Sequence, residues 1–152
     1  MLKKQEKTIW VLSELYYPEE TGSGYYITKI AEDIATRHRV HVLTVHPTYA
    51  ARGTKAPKDE VHHNVLIHRC RATALNKDIL LFRLLNLLTI SVSVFFNALR
   101  RIRKHDVVLV ITNPPTLPLI ASFVCKIRGA KMVLRLEDMY PEVLVAAKII
   151  KA

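Results

Sequence analysis

Apolar residues in this chain fall into two patterns. Short strand-like runs occupy 8–15, 40–45, 61–70, 107–111 and 131–136. Most are nearly continuous rather than alternating, as in strands buried on both faces. Between them lie helical periodicities. Ile27, Ile30, Ala31, Ile34 and Ala35 share one face of a helix over about 25–37, a long helix is predicted over about 78–104 with Asp78 as its cap, and a third over 117–127 ends at Gly129. A last helix is expected over 143–152. Strands alternating with helices predict an α/β fold, a Rossmann-like parallel sheet with helices on both faces. The pattern holds no internal repeat and no low-complexity tract.

In such sheets ligands bind outside the carboxyl ends of the strands. Three loops meet that description: 16–24, 113–116 and 137–142. The first carries Gly22, Ser23 and Gly24 at the start of a helix, where free N–H groups and the positive dipole end suit a phosphate. A nicotinamide fingerprint would need glycine at position 27, which is Ile27, and an acidic residue ending the second strand, which is absent. The bland alternative is a tight turn into a helix. Asn113 could hold a ligand through its amide, or Asn113-Pro114-Pro115 could simply be a rigid turn.

Glu137 and Asp138 end the fifth strand. A carboxylate there could serve as general base. Equally, Asp138 could cap a following helix with Pro141 in its first turn. Arg135 and Glu137 share one side of the strand and could pair without doing chemistry.

Composition narrows the class. At 152 residues, half of them hydrophobic, the chain supports one packed domain. Its net charge of +10, from 23 Lys+Arg against 13 Asp+Glu, favours anionic partners without choosing among them. Basic residues are scattered and no aromatic–basic stacking pattern accompanies them, so no nucleic-acid partner is expected. Cys70 and Cys125 lack metal or redox spacing and read as buried reduced thiols, which fits a reducing compartment. The charged first residues are followed by no signal-peptide pattern, so export is not expected. The seven histidines are dispersed; His62 and His63 would point to opposite sides of one strand, so no metal site is expected. His46, at the end of the second strand, is the one near the ligand edge.

The long helix is unusual. From 79 to 99 its polar residues are Arg83, Asn86, Thr89, Ser91, Ser93 and Asn97, and Arg83, Asn86, Ser93 and Asn97 form a narrow stripe that runs on into Arg100, Arg101 and Lys104. As a helix this stretch would be about 31 Å long, enough to span a bilayer. Three readings are open: a spanning helix, a buried core helix, or a helix with one edge on the sheet and another in the membrane surface. In the third, Arg83, Phe95 and Phe96 face the membrane, and Arg100, Arg101, Arg103 and Lys104 sit among anionic headgroups.

Taken together, Tyr17-Pro18-Glu19-Glu20-Thr21-Gly22, Ile30-Ala31-Glu32 through His41-Val42-Leu43-Thr44, Asn113-Pro114-Pro115 and Glu137-Asp138-Met139-Tyr140-Pro141-Glu142 resemble the N-terminal domain of family 4 glycosyltransferases, in the branch that builds bacterial surface polysaccharides. The likeness runs through essentially the whole chain, 1–152. It implies the acceptor-side half of a two-domain GT-B enzyme, a retaining, metal-independent hexosyltransferase without a cofactor. The nucleotide-sugar is the co-substrate and binds mainly the C-terminal domain, which would have to be supplied in cis or trans. By the same resemblance Asp138 lies near the reaction centre, Gly22, Ser23 and Gly24 face the donor diphosphate, and Asn113, Glu137, Tyr140 and Glu142 line the acceptor side. The acceptor is expected to be a polyprenyl-diphosphate-linked glycan at the cytoplasmic face of the plasma membrane. The sequence departs from the family where Tyr140 replaces the usual Trp and where Glu137 replaces a frequent Arg. The alternative is a membrane-surface or partner-binding module without catalysis.

Overall fold

The computed structural model describes residues 7–19, 22–47, 53, 56–76 and 78–137. Among them a six-stranded sheet carries three helices, in the order β1 (Thr8–Leu12), α1 (Ser23–Ala35), β2 (Arg39–Val45), β3 (Asp59–His62), β4 (Val65–Cys70), α2 (Leu80–Arg101), β5 (Val107–Ile111), α3 (Thr116–Arg128) and β6 (Lys131–Arg135). Spatially the strands run β3-β4-β2-β1-β5-β6. This is the Rossmann-like α/β architecture that the run pattern predicts.

Side chains alternate across each strand, so the apolar runs feed two cores. Val11, Val40, Val42, Val65 and Ile67 meet Ile27 and Ala31 of α1 on one face. Trp10, Leu12, Leu43, Val108 and Val110 meet α2 and α3 on the other. The chain builds the sheet outward from β1 through β2 and β4, then returns to β1's other side with β5 and β6. Strand order therefore reverses between β1 and β5. The loop after β1 leads to one face and the loop after β5 to the other, which opens a crevice at the carboxyl edge.

One strand was misread. Residues 61–70 do not form a single parallel strand. The chain pairs antiparallel with itself, His62 opposite Val65. His63 and Asn64 make the turn with φ of 46° and 63°, positive at both positions as a two-residue hairpin prefers. Asn tolerates that region, which is why the reversal falls there.

Two ends also moved. β1 stops at Leu12, because the Ser13 hydroxyl donates to the Leu15 carbonyl at 2.5 Å and Thr44 donates to the Glu14 carbonyl at 2.9 Å, turning the backbone out of the ladder. α2 begins after Ile79, with no side-chain cap from Asp78, and ends at Arg101 rather than 104. The buried Asp106 carboxylate accounts for that end, accepting from Arg103 N, Thr8 N and Trp10 Nε1 at 2.9–3.2 Å. Gly129 terminates α3 in the left-handed region, φ 68°. The expected helix over 143–152 lies outside the described residues.

Candidate functional site

Gly22 precedes α1 at φ 52°, a conformation that favours glycine. Ser23 follows, half-buried, and Gly24 is buried. A Cβ on Gly24 would lie 2.6 Å from the Glu19 carbonyl oxygen. The close backbone approach made by this glycine is thus to its own loop. Thr28 secures that loop, accepting from Tyr17 N at 3.1 Å and donating to the Gly24 carbonyl at 2.7 Å.

Across the crevice, Asn113 sits half-buried after β5, on a cis bond to Pro114. The neighbouring loop after β6 is tied to it, since Glu137 N donates to Thr112 Oγ1 at 3.1 Å. The fold places Asn113 and Glu137 on the loops after the neighbouring strands β5 and β6, and the Gly22–Gly24 turn on the loop after the adjacent β1. Glu137 Oε1 lies 3.7 Å from Arg135 Nε. Glu137 Oε2 and Arg135 Nη1 are buried without a hydrogen bond among the described residues. Asp138, Tyr140 and Glu142 lie outside the described residues. His46 is exposed just beyond β2.

A second polar cluster went unrecognised in the sequence. Arg69, fully buried at the end of β4, donates to Pro57 O at 2.8 Å, to Tyr17 O at 2.8 Å and to Glu60 at 2.5 Å. It ties the β3–β4 hairpin to the loop after β1. An arginine between the apolar run Val65-Leu66-Ile67 and the apolar Cys70 was the available signal. Beside it, a cavity of about 130 Å³ is lined by residues including Tyr17, Glu19, Thr28, Lys29, Glu32 and His62. His62 stacks on Tyr17 with ring centroids 3.7 Å apart. His62 and His63 were expected to point apart, but His63 lies in the turn and their rings meet edge to face at 4.3 Å. Burial, then the neighbouring His63, hold the His62 pKa below the ordinary imidazole value. Glu32, His62 and His63 each offer one ligand atom, all within 4.8 Å of one another.

The third feature is the outer surface of α2 and α3. The buried line of α2 is Asn86, Ile90, Val94 and Ala98. Asn86, 5% exposed, accepts from Thr73 Oγ1 and Leu75 N and donates to the Leu75 carbonyl. Ser91 donates to Thr116 on α3 at 2.8 Å. Asn86 of the polar stripe therefore points into the protein and Ser91 toward α3, and Leu80, Leu81, Leu84, Leu88, Val92 and Phe96 point out. Leu119, Phe123 and Ile127 of α3 extend that apolar surface. Arg83, Arg100, Arg103 and Lys104 are exposed. Phe95 and Arg101 are not presented in the same way. Phe95 is half-buried against Phe123 and the core, and Arg101 turns toward the sheet, close enough to His41, Asp59 and Cys70 to bias their protonation.

The fold and its carboxyl-edge crevice define a Rossmann-like α/β protein. No protein-family model matches the chain, and no curated protein matches it in sequence. Among solved structures it is similar to the C-terminal domain of a hydrogenase from Pyrococcus furiosus, with a TM-score of 0.55 and 15% identity over 86% of this chain and 92% of that one. At that identity the likeness is one of fold.

Proposed function

We propose that this chain is the acceptor-binding half of a GT-B glycosyltransferase that works at a membrane surface on a lipid-linked glycan. The observation that carries the reading is the orientation of α2. The helix runs antiparallel to the strands, so its most apolar turns, Leu80 to Leu88, lie at the same edge as the crevice, and Arg100, Arg103 and Lys104 lie at the opposite edge. Contact through that outer face would set the mouth of the crevice against the lipid, where a polyprenyl-diphosphate-linked acceptor resides. The exposed cations would meet anionic headgroups. Gly22, Ser23 and Gly24 would face the donor diphosphate, and Asn113 and Glu137 the acceptor, with Asp138 as the base or orienting group by family resemblance. A nucleotide-sugar would enter from a second domain.

The test is sugar transfer to lipid-linked glycans extracted from bacterial membranes, with a panel of radiolabelled nucleotide-sugars. The chain is assayed alone and together with the polypeptide encoded immediately downstream. Transfer only in the combined assay, abolished by Asp138→Asn, is the expected result. Transfer by the chain alone would overturn the division into halves. Vesicle binding with no transfer under any combination would leave the non-catalytic membrane module, which the same α2–α3 surface also favours.

A further inference from the structure

A polar cluster lies on the α1 face of the sheet, against Tyr17 of the loop after β1. Glu32 comes from the third turn of α1, His62 from the last position of β3, and His63 from the hairpin turn. Their convergence depends wholly on the antiparallel hairpin, because a continuous strand would have sent the two imidazoles apart.

The details fit a ligand set better than an ion pair. Glu32 Oε1 and His62 Nε2 are 3.4 Å apart, yet Glu32 Oε1 is buried and has no hydrogen bond among the described residues. Two ligands of a tetrahedral zinc ion, each about 2.0–2.1 Å from the metal, are about 3.3 Å apart. The spacing is therefore poor for a hydrogen bond and right for a shared cation. The other carboxylate oxygen is taken by Lys29 at 2.8 Å, which orients the group and leaves Oε1 directed at the imidazoles. Tyr17 stacked on His62 fixes that ring. His63 is exposed, so it can close the remaining distance by a side-chain rotation.

We propose that Glu32, His62 and His63 bind a divalent transition metal of the zinc class, with the fourth position open to the adjoining cavity. Two imidazoles and one carboxylate are a borderline-soft donor set that favours zinc over magnesium or calcium. Bound there, the ion would clamp the β3–β4 edge hairpin to α1. It plays no part in the sugar transfer proposed above, so the two readings stand or fall separately.

The test uses the full untagged chain, stripped with chelator, and titration calorimetry with zinc chloride. One zinc per chain and a raised melting temperature are expected, with visible d–d bands of tetrahedral intensity when cobalt(II) is substituted. Magnesium should give no response. His63→Ala removes an exposed turn side chain, so it should fold like the parent, yet it should weaken zinc binding by at least about 10-fold, the low end of what losing even an outer partner costs. Glu32→Gln should do the same. Absence of stoichiometric zinc binding would overturn the proposal. So would zinc binding that survives both substitutions unchanged, because it would place the metal elsewhere.

Discussion

Gly24 illustrates how a residue that resembles a ligand-binding glycine can be required by packing instead. Its missing Cβ is occupied by the Glu19 carbonyl, so Gly24→Ala should destabilise the protein by roughly 1–3 kcal/mol, the usual range for overpacking. Urea denaturation measures this. Gly22 has open space around its Cβ position, and its cost on substitution would come from φ alone. His41 gives the second prediction at this scale. Burial first, then His68, Arg39 and Arg101, lower its pKa to about 4. The folded chain then binds fewer protons than the unfolded chain between about pH 4 and 6.5. Stability should fall as pH drops through that window and level off below it. His41→Leu should flatten this segment of the stability–pH curve. Trp10, the only tryptophan, lies with its ring tilted by 39° and centred 4.7 Å from the His41 ring, and reports the transition by fluorescence.

At the level of elements, α2 is amphipathic with its sides exchanged. Asn86, Thr89 and Ser91 are taken up by the 73–75 segment and by α3, and most of its leucines are left exposed. The periodicity of Arg83, Asn86, Ser93 and Asn97 was visible in the sequence, but a stripe has no sign: it can face water or face polar groups of the protein. Two substitutions separate the sides. Ile90→Ala, in the buried line, should cost about 2–5 kcal/mol in a denaturant melt. Leu84→Glu together with Leu88→Glu, on the outer face, should leave the melt nearly unchanged and sharply reduce co-sedimentation with vesicles of phosphatidylglycerol and phosphatidylethanolamine. Equal binding by the double variant would remove the membrane role from this surface.

Across the whole molecule, Arg69 joins Pro57 and Glu60, at the start of the hairpin, to the distant loop after β1 at Tyr17. Removing the cation strands a partly buried carboxylate and two carbonyls. Arg69→Ala should therefore destabilise by about 3–5 kcal/mol, and hydrogen exchange should rise together in β3 and in the loop around Tyr17. Exchange confined to the hairpin would mean the segments are not coupled through this residue.

The sequence by itself determined the α/β class, the approximate positions of β1, β2, β5 and β6, the end of α3 at Gly129 and that the loops after β1 and β5 lie at the carboxyl edge. Each follows from local rules: side-chain period, glycine's access to positive φ, and the direction of a parallel strand. Only the tertiary structure decided that 61–70 is a hairpin, that Arg69 is buried, that Asn86 points inward and that Glu32 meets His62 and His63. The physical reason is common to all four. Their outcome depends on partners far away in sequence that compete for the same backbone and side-chain groups, and no local pattern states which partner arrives.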